Sequence, residues 1–134
     1  MGKLYRSREG TISAVDTKTQ LTTLGSETAP GPLLVPAGAK TLLAIITTYA
    51  TSQAVAADGS VILRLEGPGL PEGPEVLTVG SQGVAVATGG HGSRTANRVV
   101  LEIPVVVANE ILLFGENVGE DVGDVTVGAT LEFV

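Results

Sequence analysis

The chain of 134 residues contains no cysteine and no tryptophan. The missing cysteines exclude a thiolate nucleophile, a zinc ribbon and a disulfide framework, and they leave the redox compartment open. Aromatic residues amount to 3%, two Tyr and two Phe, so there is little to stack the apolar face of a sugar. Charge is also scarce, at 16% against about 25% in an ordinary globular protein. Positive charge is the scarcer sign: 8 Lys and Arg against 14 Asp and Glu leave a net charge of −6. A nucleic-acid binder needs clustered cations to neutralise phosphate, and this chain does not have them. From Leu101 onward there is no Lys or Arg at all, whereas Glu102, Glu110, Glu116, Glu120, Asp121, Asp124 and Glu132 follow one another.

Long apolar runs are missing too. The uncharged stretch 41–57 is interrupted by Thr47, Thr48, Thr51, Ser52 and Gln53, too polar for a membrane span of about 20 apolar residues. Lys3, Tyr5, Arg6 and Arg8 are not followed by an apolar core and a small-residue cleavage site, so no export signal is expected. No segment of helical length shows apolar recurrence at three and four.

What the chain has is aliphatic mass and punctuation. Hydrophobic residues make up 43%, mostly Val, Leu, Ile and Ala, and 18 glycines and 7 prolines separate the short runs. One domain of this length can bury roughly two-thirds of its unfolded surface without a metal or disulfide staple. The surplus aliphatic surface then predicts contacts with other chains and a homo-oligomer.

The pattern predicts strands over 10–16, 20–24, 33–35, 40–50, 60–66, 75–79, 84–88, 98–107, 110–114 and 124–134. In the last of these Val125, Val127, Ala129, Leu131 and Phe133 face one way and Thr126, Gly128, Thr130 and Glu132 the other. Ile45, Ile46, Thr47 and Thr48 are β-branched, which favours extended backbone over helix. Pro104 predicts an edge position or a bulge, because proline cannot donate to a ladder. Parallel sheets need helical crossovers, for which there is no room. The expectation is an all-β antiparallel sandwich, a single jelly roll of about eight strands over 1–134, with 1–9 as an N-terminal arm. An immunoglobulin-like sandwich and a closed barrel are the alternatives.

Sites are few. Glu116, Glu120, Asp121 and Asp124, with Asn117 in a glycine-punctuated segment, form a calcium candidate, since Ca²⁺ takes six to eight oxygens. Acidic residues with glycine are also ordinary turn chemistry, and the spacing is not that of an EF-hand. His91, the one histidine, lies among Gly89, Gly90 and Gly92, where nothing fixes it as a general base. Ser93 nearby lacks the strand–turn–helix surroundings of a nucleophile elbow. The segments 80–83 and 89–92 lack the lysine and helix of a phosphate loop. Arg94 and Arg98 could hold an anion or an acidic neighbour, or simply be solvated. Tyr5 is a poor sugar platform, and Tyr49 is expected at the edge of the core. No catalytic residues and no cofactor are expected, and the chain reads as a non-enzyme.

The segment Leu33-Leu34-Val35-Pro36-Ala37-Gly38-Ala39-Lys40, followed by a β-branched strand, resembles the lead-in to the sandwich of small viral coat proteins. The half from Ile103 through Glu110, Gly115 and Glu116 to Leu131 is similar in style. Together they resemble single jelly-roll capsid or capsid-decorating proteins of viruses of archaea and thermophilic bacteria. The resemblance implies a subunit that forms trimers, pentamers or larger assemblies with itself, with other coat proteins as further partners. It places the chain in a virion, with no direct nucleic-acid contact. Few Asn, Gln and Met fit a heat-tolerant source. The competing reading is a non-catalytic binding module for calcium, carbohydrate or a protein.

Overall fold

The computed structural model describes residues 2–12, 16–22, 31–51, 59–82, 95–118 and 125–134, and for 49–51, 59–60, 80–82 and 95–97 it describes the backbone alone. Nine strands run through them: β1 (Leu4–Ile12), β2 (Thr19–Gln20), β3 (Leu33–Leu34), β4 (Thr41–Thr51), β5 (Gly59–Glu66), β6 (Glu75–Gln82), β7 (Thr95–Pro104), β8 (Glu110–Val118) and β9 (Val125–Phe133). No described residue is helical. All pairings are antiparallel and form two sheets, one ordered β1-β9-β4-β7 and the other β2-β8-β5-β6 with β3 also on β8.

Strands β2 and β3 make one broken edge. Thr19 and Gln20 pair with Gly115 and Phe114, and Leu33 and Leu34 then pair with Ile111 and Glu110 further along the same strand. Between them Leu21 donates its N–H to the Leu113 carbonyl, and Gly31 donates to the Thr22 carbonyl. With β2/β3 taken together, the first strand pairs with the last, the second with the second-last, β4 with β7 and β5 with β6. That nesting is a long hairpin folded over into two sheets, a single jelly roll, as the sequence pattern predicts.

The core lies between the sheets. Its fully buried side chains come from the inward positions of β5 (Val61, Leu63, Leu65), β8 (Ile111, Leu113) and β9 (Val125, Val127, Leu131, Phe133), closed by Ile12, Leu21, Leu33, Leu42 and Ile45. Period-two alternation therefore sets both register and burial in β9 and β5. At one end three turns are tied together. The Val35 N–H reaches the Asn109 carbonyl, Gly69 reaches Glu110, Val106 reaches Gly69, and Lys40 reaches Val134.

Several boundaries differ from the sequence expectation: β2 stops at Gln20, β6 runs on to Gln82, and the expected strand 84–88 lies outside the described residues. Strand β1 begins at Leu4, inside the stretch read as an arm, and pairs with β9 from Leu4↔Phe133 to Ile12↔Val125. Aliphatic spacing could not reveal it, because an edge strand is held by its backbone ladder and here by Arg8. That guanidinium, 7% exposed, donates to the carbonyls of Gly31 and Ser7 at 2.8 and 2.7 Å. Strand β8 continues four residues past the expected end, to Val118. Strand β7 is an edge strand ending at Pro104, as the proline implied, and its irregularity lies just before, where Leu43 is opposed by Leu101 and Glu102. Glu102 takes φ +52 there, the left-handed conformation of a bulge.

Candidate functional site

The acidic segment is split by the fold. Glu116 stands on β8, opposite Ile62 of β5. Glu120, Asp121 and Asp124 lie outside the described residues, as do His91, Ser93 and Arg94. Among the described residues no three His, Asp or Glu side chains converge. The side chain of Tyr49 is also outside the description, and of the glycine-rich 80–83 only the backbone of 80–82, in β6, is within it.

Two residues considered separately in the sequence, Tyr5 and Arg98, meet on a third that carried no signal. Glu132 occupies an outward position of β9, yet its side chain is only 4% exposed. Its Oε1 accepts the Tyr5 hydroxyl at 3.1 Å and lies 3.1 Å from Lys3 Nζ. Its Oε2 accepts Arg98 Nη2 at 2.5 Å and Nε at 3.2 Å. The Arg98 guanidinium is the largest influence holding this carboxyl below its usual range; burial opposes it, and Lys3 and Tyr5 add to it. Lys3 and Tyr5 come from the β1 side and Arg98 from β7, so one carboxylate links both edges of a four-stranded sheet. It reaches Arg98 across Ala44 of β4, which is fully buried beneath the bridge. A charge already satisfied in this way is a clasp rather than an anion site or an active centre. A lone glutamate among Thr and Gly in a closing strand gave no hint that residues 3, 5 and 98 would surround it.

The two outer faces of the sandwich differ. On the β1-β9-β4-β7 sheet the outward positions of β1 and β9 carry Ser7, Glu9, Thr11, Thr126 and Thr130, with hydroxyl pairs such as Ser7–Thr130 at 2.7 Å, and those of β4 carry Ile46 and Thr48. A shallow depression of about 200 Å³ lies there over Gly128, between Glu9 and Thr48. It is smaller than the roughly 300–1,000 Å³ of a drug-sized ligand site.

The β2-β8-β5-β6 sheet turns aliphatic residues outward. Leu112, Phe114 and Val118 of β8, Ile62 of β5 and Val76 of β6 alternate with the buried inward positions. Val76 is 50% exposed and the others are half-buried. Lys18 lies over the Phe114 ring, 4.2 Å from its centre, and is paired with Glu66 at 2.8 Å. Around the flank between edge strands β6 and β7 the core is only partly covered. Leu77, Val99, Leu101 and Ile103 pack against it half-buried, while Val100 stands on the outer face of the other sheet, 54% exposed.

No family model and no curated protein matches the chain. Among solved structures it is similar to the PRD1 vertex protein P5, with TM-score 0.45 and 14% identity over 96% of each chain. It is also similar to dimeric latent PorU from Porphyromonas gingivalis, with TM-score 0.42 and 11% identity, covering 98% of this chain and 13% of that one. A third likeness is to infectious bursal disease virus, Gx strain, with TM-score 0.39 and 13% identity over 96% of this chain and 32% of that one. None of the three carries the reading of the surface, which rests on the chain's own residues.

Proposed function

We propose that this chain is a structural subunit that assembles with copies of itself and performs no catalysis. The observation that carries the reading is the aliphatic outer face of the β2-β8-β5-β6 sheet. Antiparallel sheets ordinarily alternate apolar in and polar out when one face meets water. Here the opposite sheet follows that rule with Ser and Thr on β1 and β9, with Ile46 and Val100 outward only on β4 and β7, while this one turns Leu112, Phe114, Val118, Ile62 and Val76 outward across three strands. Contiguous apolar surface on a folded chain marks contact with another chain. The partly covered flank between β6 and β7 adds a second surface of the same kind.

Placement in a coat or coat-decorating layer follows from the resemblance of residues 33–40 and 103–131 to small capsid proteins. Rings or closed shells arise when one interface is repeated by symmetry. The experiment is solution mass by light scattering on a size-exclusion column, with calcium and again with chelator. A discrete multiple of the 13.5 kDa chain, unchanged by chelator, is the expected result. A monomer at every concentration overturns the reading. A mass or melting temperature that follows calcium favours the binding module built on Glu116, Glu120, Asp121 and Asp124.

A further inference from the structure

The aliphatic face also carries two charges. Arg64 of β5 and Glu116 of β8 are both half-buried there, and among the described residues neither makes an ion pair or a side-chain hydrogen bond. Desolvating a charge is costly unless a partner compensates, so a half-buried unpaired cation and anion side by side on an apolar face call for partners from outside the chain.

The register fixes where those partners must stand. Arg64 lies opposite Phe114, and Ile62 lies opposite Glu116. With strands about 4.8 Å apart and two residues spanning about 6.7 Å along a strand, the four positions form a rectangle. Arg64 and Glu116 occupy one diagonal, and Ile62 and Phe114 the other. A two-fold axis laid on the face along the apolar diagonal brings each charged corner to within about 3 Å of the other, inside the reach of the Arg and Glu side chains. We propose that a second copy of this chain docks on this face about that axis, so that Arg64 of each copy meets Glu116 of the other while Ile62 and Phe114 meet their own counterparts.

The contact is isologous and closed, and the two sheets cross at roughly 70°, close to the orthogonal class of sheet packing. Lys18, 41% exposed over Phe114, moves aside on docking; its pair with Glu66 is an exposed one of small worth. The inference rests on the self-assembly reading and assigns it one interface and one symmetry.

The test uses two charge reversals, Arg64→Glu and Glu116→Arg. Alone, the first variant has an acidic residue at both positions and the second a basic one at both, so each homodimer brings like charges together. An equimolar mixture restores both pairs across the two-fold axis. Each variant should keep the parent's cooperative melt and associate about tenfold or more weakly than the parent by sedimentation equilibrium. The mixture should recover the parent's association.

Variants that assemble like the parent, or a mixture no tighter than either variant alone, overturn this interface while leaving self-assembly standing. A parent chain that is monomeric at every concentration removes both proposals. If a reversal impairs folding, Arg64→Gln and Glu116→Gln serve instead, and unchanged association in both again overturns the interface.

Discussion

Gly67 offers the sharpest test of how the turn after β5 is docked. Its φ is +118, a conformation that L side chains rarely adopt, and an added Cβ would lie 2.7 Å from the Glu110 carbonyl oxygen and 2.7 Å from Leu112 Cδ1. Leu112 is half-buried on the outer face and can give way. The carbonyl cannot, because it already accepts the Gly69 N–H at 2.8 Å. Backbone strain at such a position costs about 1–3 kcal/mol. Forcing the turn away from β8 adds roughly 1–3 kcal/mol more, as overpacking does. Gly67→Ala should therefore lose about 4 kcal/mol, a large share of the roughly 5–15 kcal/mol that holds a domain together.

Gly73 supplies the control. It has φ +100 but nothing within 4 Å of the added Cβ, so Gly73→Ala carries the strain without the collision. Urea unfolding of both variants, with unchanged m, separates the two contributions. For a chain of this length each kcal/mol is worth roughly 3–4 °C in melting temperature. Equal losses in the two variants would refute the docking argument, since Gly67 faces the Glu110 carbonyl and Gly73 faces nothing.

Two further outcomes follow from buried polar groups. Glu132 has its carboxyl held below the ordinary range by Arg98, so its contribution is fully present above the unfolded carboxylate range, about pH 4.3. That contribution is lost as pH falls through the lowered folded value. Melting curves from pH 7 to pH 3 should show Glu132→Gln less stable at neutral pH and less sensitive to acid than the parent, and parallel acid profiles would sink the clasp. Asn117 is buried in β8 with its Oδ1 unpartnered. Asn117→Leu should be neutral or stabilise by up to about 2 kcal/mol, since an unsatisfied buried acceptor costs about 1–3 kcal/mol; a clear loss in urea unfolding would reveal a partner for that oxygen.

What the sequence determined is the part of the protein governed by local periodicity. The strict alternation of 125–133, and the looser one of 61–66 with Ile62 outward, fix which side chains enter the core, because a strand shifted by one residue would turn its apolar set outward. The turn residues, the β-branched run in β4 and Pro104 near an edge were legible for the same reason: each acts on its own backbone. Strand β1 was not, because its place depends on pairing with a strand more than 110 residues away and on Arg8 reaching carbonyls beyond the next turn.

The surface was decided by the tertiary structure alone. Glu132 becomes a clasp only when β1 and β7 are brought to opposite edges of one sheet, and no spacing in sequence relates residues 3, 5, 98 and 132. Arg64 and Glu116 become neighbours only through the β5–β8 register. A sequence records which residues are apolar or charged; the side of a sheet on which a charge ends, and whether another charge of the same chain can reach it, is set by contacts that exist only after folding.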